Sequence, residues 1–286
     1  MASAADPCLP TKESPKWLEI PHELMVNIFQ RLRTLELLNG AMKVCTTWWR
    51  ICKDPAIWKV IDVDSWDACY TNYDLEMLTK KAVDLSCGEL TDLSIKGFGA
   101  DDLLDYMLIR SSKLNSLSLW CCFDMTGSGL RRSVKRVPQL EKLHLTSISI
   151  NIEDIKVIGR NCPQLKSFEM DMTITGSFIK YDDDALAIAN NMPELRHLQV
   201  FGSKMTNYGF KAILNGCPHL ESLDVRWCYN LNLDMNLLKE CMERIKDFKS
   251  STRNYYDFDD TYSSGYSDED DSSVSQDSDI SEEVDY

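Results

Sequence analysis

A six-residue phrase, Leu-x-x-Leu-x-Leu with conservative exchanges, recurs six times along this 286-residue chain. It reads Leu90-Leu93-Ile95, Leu114-Leu117-Leu119, Leu140-Leu143-Leu145, Leu165-Phe168-Met170, Leu195-Leu198-Val200 and Leu220-Leu223-Val225. The first leucines stand 24, 26, 25, 30 and 25 residues apart. A fixed period of this length marks a stack of small identical units, none able to bury its own apolar face alone. Four copies carry a proline two positions before the first leucine: Pro138, Pro163, Pro193 and Pro218. Proline at that offset ends a helix and starts an extended segment.

Helical patterns fill the intervals. Leu103, Leu104, Met107 and Leu108 fall on one face, as do Ile155, Ile158 and Cys162, and Phe210, Ile213, Leu214 and Cys217. Each unit is thus a short strand, a turn and a helix, which is a leucine-rich repeat. The expected fold is α/β: a solenoid of about six repeats, with a parallel strand ladder on one side and helices on the other. The 30-residue unit holds an insertion near 180–184 (KYDDD), expected to loop out. Residues 231–248 read as a final amphipathic helix capping the open end.

The chain divides by texture into four parts. Residues 1–16 hold three prolines and read as a disordered leader. Residues 17–62 form a small all-α segment, with Pro21 at a helix start and Thr34 a plausible N-cap for a helix over 35–45. The repeats and cap helix occupy 63–250. The remaining 251–286 is rich in Asp, Ser and Tyr and poor in aliphatics, so it is expected to be disordered. From 254 to 286 there are 12 acidic residues and no Lys or Arg, which leaves 33 acids against 31 bases in the rest.

That balance argues against a nucleic-acid surface, which needs an excess of Lys and Arg. The longest uncharged runs, 114–123 and 143–152, are 10 residues, against the ~18 of a bilayer span; no membrane association is expected. Eleven cysteines without a Cys-x-x-Cys pair suggest packed thiols and a reducing compartment, nucleus or cytoplasm. The four histidines, His22, His144, His197 and His219, have no metal-ligand spacing. Cys52-Lys53-Asp54 offers the one suggestive nucleophile spacing, inside an aromatic-rich segment that favours packing. The expectation is no catalytic residue, no metal and no cofactor.

Within 17–62, Ile20-Pro21-x-Glu23-Leu24 is followed by Ile28 and Leu32, then Val44-Cys45-x-x-Trp48, Arg50, Asp54-Pro55 and Trp58. This word resembles the F-box, whose pattern is Leu-Pro-x-Glu-Leu, Val-Cys-Lys-x-Trp-Arg and Asp-Pro-x-x-Trp. Joined to repeats with a Cys-Pro-x-Leu rhythm at Cys162 and Cys217, the chain is similar over roughly 17–250 to plant Skp-interacting F-box/LRR proteins. Ile20 replaces the usual Leu, and Trp49 stands where Arg is usual. Either Trp48 or Trp49 could be the buried ring. The resemblance implies a substrate receptor of an SCF-type ubiquitin ligase. Its F-box would dock a Skp-type adaptor, and through it a cullin, by some of Pro21, Leu24, Ile28, Leu32, Val44 and Trp48. These apolar residues could instead be internal core.

Strand alternation points the phrase's leucines inward and sends the residues between and after them to the concave face. The middle column there is Ser94, Ser118, His144, Glu169, Gln199 and Asp224. The next is Lys96, Trp120, Thr146, Asp171, Phe201 and Arg226, with Trp227 beside it. Trp120, His144, Glu169, Asp171, Phe201, Arg226 and Trp227 are the candidate target-binding residues, since aromatics and Arg dominate interfaces. The tryptophans could instead fold under the adjacent turns onto Cys122 or Cys228, and Glu169 and Asp171 could be merely solvated. The competing function is an acidic-tailed repeat protein for basic partners such as histones, with no ligase role.

Overall fold

The computed structural model describes residues 17, 20–66, 74–171 and 182–250. The expected leader, the acidic tail and the first two residues of the 180–184 insertion lie outside them.

The N-terminal segment is helical. Helix α1 (His22–Phe29) starts after Pro21, where a missing N–H costs nothing. Helix α2 (Thr34–Asn39) begins one residue earlier than expected, with Arg33 as N-cap. It also ends early, at Gly40, where a Cβ would lie 2.6 Å from the Glu36 carbonyl oxygen. A separate 3-10 turn, Ala41–Lys43, follows, so the single helix expected over 35–45 is split. Helix α3 (Thr46–Ile51) leads into a second 3-10 turn, Pro55–Lys59.

The Asp-Pro-x-x-Trp word has a mechanical reading. Asp54 Oδ1 accepts the Ala56 N–H at 2.9 Å, capping the turn, and Pro55 supplies its first residue. Trp58 is fully buried, and its indole N–H donates to the Cys52 carbonyl at 2.7 Å. Asp54 Oδ2 also lies 3.1 Å from His22 Nε2, joining the turn to the start of α1. The Ala56 N–H, and after it His22, hold the Asp54 carboxyl below its usual range.

The rest is one parallel eight-stranded sheet in sequential order. Its strands are β1 (Val60–Asp64), β2 (Asp92–Lys96), β3 (Ser116–Trp120), β4 (Lys142–Thr146), β5 (Ser167–Asp171), β6 (His197–Phe201), β7 (Ser222–Val225) and β8 (Asp247–Ser250). Helices α4 (Leu75–Leu85), α5 (Asp101–Arg110), α6 (Gly127–Ser133), α7 (Ile152–Asn161), α8 (Asp183–Asn191), α9 (Asn207–Gly216) and α10 (Met235–Arg244) alternate with the strands. Register carries the repeat directly: Leu93, Leu117, Leu143, Phe168, Leu198 and Leu223 are successive partners. All six are buried, and full burial of such a side chain contributes about 1.5–3 kcal/mol.

Two strands lie beyond the six expected. Trp58, Ile61 and Val63 occupy the phrase's three apolar places in β1, with Trp in place of the first leucine. Ile245 and Phe248 occupy the first two in β8, where Ser250 replaces the third. The cap helix expected over 231–248 is therefore α10 alone, and its last residues turn into a strand paired with β7. The expected boundary at residue 62 falls inside β1. Of the 180–184 insertion, the described part binds rather than loops free. Asp182 accepts from the Thr206 and Gly209 N–H groups at 2.8 and 3.0 Å, bridging to the start of α9.

Five of the described strand exits turn through a left-handed residue: Gly97, Cys121, Ser147, Gly202 and Trp227, at φ between 52° and 78°. The next residue drops back inside. Cys122 Sγ lies 3.6 Å from the Ile95 carbonyl and Cys228 Sγ 3.2 Å from that of Val200, both in the preceding repeat. Before the Cys-Pro turns, Cys162 and Cys217 reach Val137 and Met192 in the same way. Burial pushes the Cys162, Cys217 and Cys228 thiols up to about 12. These are packing groups and not nucleophiles.

Candidate functional site

Two surfaces collect the candidate residues. The first is the exposed side of the N-terminal helices α1 to α3. Helix α1 buries Met25, Val26 and Phe29, while Leu24 and Ile28 remain 54% and 47% exposed. Pro21, Leu24 and Ile28 are spaced at helical intervals, so they form one apolar stripe on the outer side. Val44, just after the first 3-10 turn, is also exposed. Leu32 is placed differently: it is half-buried and packs against the core.

The two tryptophans of α3 divide the alternatives. Trp48 is half-buried and meets Phe29 edge-on, with ring centroids 5.1 Å apart. Its indole nitrogen is buried without a hydrogen-bond partner. Trp49 is exposed and carries the Lys53 ammonium 3.6 Å from its ring centroid. Trp48 is thus the inward ring, and Trp49 lies on the surface.

The second surface is the outward face of the ladder. Pairing brings Ser118, His144, Glu169 and Gln199 into one row and Trp120, Thr146, Asp171 and Phe201 into the next. The sequence columns are therefore real rows of neighbours, and all eight side chains are half-buried. His144 is wedged among polar groups: Nδ1 lies 3.3 Å from Glu169 Oε2 and 3.4 Å from Ser118 Oγ, and Nε2 lies 3.3 Å from Ser167 Oγ. Burial pushes its imidazole below the usual range; Glu169 pulls it up and Lys142 pushes it down.

Asp224 departs from the expected open column. It is only 5% exposed, because Arg226 folds back over it, Nη2 to Oδ2 at 2.8 Å and Nε to Oδ1 at 3.0 Å. The same guanidinium lies 5.2 Å from the Phe201 ring centroid. Trp227 does not tuck under the turn: it is exposed at φ 65° and meets Tyr229 edge-on at 6.2 Å.

Sequence reasoning missed several outward groups. Asp62 and Asp64 of β1 and Asp247 and Lys249 of β8 extend the face, and Phe123 and Tyr229 project from strand-exit turns. The last two had a signal, since each lies two residues after a left-handed turn residue. Among the described residues, no group of three or more His, Cys, Asp or Glu could hold a metal ion, and no helix is long and apolar enough to cross a membrane. Both surfaces offer contact area.

The F-box-like family matches residues 17–64. F-box/LRR-repeat protein 23 of Arabidopsis thaliana is 45% identical over 241 residues, covering 83% of this chain and 54% of that protein. F-box protein SKIP19, also of Arabidopsis thaliana, is 40% identical over 262 residues, covering 91% of this chain and 85% of that protein. Among solved structures, the Rad7 and Elc1 complex in yeast aligns at a TM-score of 0.47 and 17% identity, covering 76% of this chain and 57% of that one.

Proposed function

This chain belongs to the F-box/LRR-repeat family of plant proteins, and from that premise we propose that it is the substrate-recognition subunit of an SCF-type E3 ubiquitin ligase. The F-box docks a Skp-type adaptor and through it a cullin. The ladder holds the target protein, and transfer chemistry belongs to other subunits. The chain's part in catalysis is proximity: holding the target converts a bimolecular encounter into an effectively intramolecular one.

The observation that carries this reading is the outer stripe of α1. A small helical module leaves Leu24 and Ile28 about half exposed beside Pro21, while its own core is already closed by Phe29, Leu38 and Trp58. Apolar groups left outside a completed core mark a partner's contact. A nuclear or cytoplasmic site fits the same reading, because the buried thiols lie singly against backbone carbonyls of the neighbouring repeat.

Co-precipitation with a Skp-type adaptor tests it. Pro21→Ala with Leu24→Ala should cut adaptor recovery by about 10-fold or more. The circular dichroism spectrum should be unchanged, since neither side chain is buried. Full recovery from the folded double variant would overturn the assignment of this stripe.

A further inference from the structure

We propose that the far end of the ladder is a dimer interface: the edge of β8 pairs antiparallel with β8 of a second copy of this chain, and the outer side of α10 packs on its own counterpart. The surface lies outside the receptor reading, and the inference does not depend on that reading.

A repeat at the end of a stack shows what the others hide. Among the described residues, β8 is hydrogen-bonded to β7 alone, so its far edge carries backbone groups with no neighbour among those residues. The helices register the same step. Leu214 of α9 and Met242 of α10 each stand eight residues past their N-caps, Thr206 and Asp234. Leu214 is 2% exposed and Met242 is 73% exposed. Phe210 and Leu238, each four residues past the same caps, are fully buried and half-buried in turn. The Arg244 guanidinium donates to the Leu214 carbonyl, which turns that side of α10 toward α9. Met235, Leu238 and Met242 lie on the other side at helical spacing, one apolar stripe aimed away from the ladder. A terminal repeat closes a solenoid with a polar outer face. This one presents two exposed methionines.

The sequence of β8 names the occupant. The Asp247 N–H donates to the Glu221 carbonyl beside β7. Successive residues of a strand turn their N–H and C=O groups to opposite sides, so those of Phe248 and Ser250 face the open edge. A two-fold axis at Phe248 then makes two bonds at once, each Phe248 N–H donating to the carbonyl of the other copy's Phe248.

The same axis sets Asp247 directly opposite the other copy's Lys249, twice. These are the close, non-hydrogen-bonded pairs of an antiparallel ladder, with Cα atoms about 4.5 Å apart. Within one chain Lys249 Nζ lies 3.4 Å from Asp247 Oδ2, and both side chains are about half exposed. Four charges therefore close into a square of alternating sign. A lone edge lysine repels its own copy, whereas an acid and a base placed symmetrically about Phe248 attract it. An axis normal to the sheet also carries the helix layer across, so the Met235, Leu238 and Met242 stripe meets α10 of the other copy. The F-box helices, joined to β1 at the opposite end of the ladder, stay clear of this contact.

Sedimentation velocity on the full chain tests this. The wild type should pass from monomer to dimer as its concentration rises. Lys249→Asp sets carboxylate against carboxylate, and Asp247→Lys sets ammonium against ammonium; each should weaken dimerisation by about 10-fold or more. Mixed in equal amounts, these two variants should associate about as tightly as the wild type, because every cross-strand pair is again opposite in sign. Met242→Lys should weaken the dimer by about 10-fold or more from the helix side. Its circular dichroism spectrum should be unchanged, since the side chain is exposed. Hydrogen exchange at the Phe248 amide should slow as the dimer forms. A wild-type chain that stays monomeric overturns the proposal, as does a dimer that both charge variants leave intact, or a mixture no tighter than its components. A Phe248 amide equally protected at every concentration overturns it too, because another part of the chain then covers the edge.

Discussion

The backbone N–H of Asp62 donates to Thr34 Oγ1 at 3.0 Å, a bond from the first strand of the ladder to the second helix of the F-box. Thr34 is buried, and β1 follows the 3-10 turn that ends the F-box word with no intervening linker. The F-box is therefore built onto the first repeat. Thr34→Val keeps the shape and removes the acceptor. It should cost about 1 kcal/mol in urea denaturation, the usual worth of a neutral hydrogen bond. Hydrogen exchange should accelerate at the Asp62 amide; an amide as protected as before would show that this bond does not secure the junction.

The neighbouring tryptophans should separate cleanly on substitution. Trp48→Ala removes a half-buried ring and its edge-on partner Phe29, so it should cost about 2–4 kcal/mol by thermal or denaturant melting. Trp49→Ala removes an exposed ring whose described partner is the Lys53 ammonium, and should cost less than about 1 kcal/mol. Equal losses would mean that the burial of these two rings has been assigned wrongly.

The period of the repeat was legible because each Leu-x-x-Leu-x-Leu phrase dictates both an inward row and a helix-ending turn. The first and last strands were not. Trp58 takes the place of the leading leucine in β1 while also completing the F-box word, and Ser250 takes the place of an aliphatic in β8. Local pattern could not assign a residue serving two modules. Among the candidate site residues, sequence placed Trp120, Glu169 and Phe201 on the right rows, because alternation alone fixes a face. It could not foresee that Arg226 closes over Asp224, since that depends on a turn with Trp227 in the left-handed region. Nor could it rank Trp48 against Trp49, as adjacent helical residues point only 100° apart.

A buried carboxyl sets a pH dependence. Asp184, in the first turn of α8, is buried, and its Oδ1 has no hydrogen-bond partner. Burial first, and then the neighbouring Asp183, push its carboxyl up to about 6. The unfolded chain releases this proton near 3.9, so between pH ~4 and ~6 the folded state binds more protons. Stability therefore falls across that window as pH rises, and the loss persists above it. Asp184→Asn should be more stable than the wild type at pH 7, by up to roughly 3 kcal/mol, with the advantage gone near pH 4. Urea melts at the two pH values check this; a variant less stable at pH 7 would sink it.

The Arg226–Asp224 pair allows folding and target capture to be told apart. Asp224 is almost fully covered, and the guanidinium above it is part of that cover. Arg226→Ala leaves a buried carboxylate without its cation, a loss of about 3–5 kcal/mol in well-enclosed pairs and less here because Arg226 is half exposed. A fall in target binding by that variant alone would be ambiguous, since it could report a loosened strand. Adding Asp224→Asn removes the stranded charge, and the double variant should regain at least half of the lost stability. If Arg226 also contacts the target, binding should stay low in the double variant while melting recovers. If it serves only to neutralise Asp224, binding and melting should recover together. Measuring both in the single and double variants, with a co-precipitation readout for the target and a urea midpoint for the fold, decides whether this arginine belongs to the interface or to the ladder that presents it.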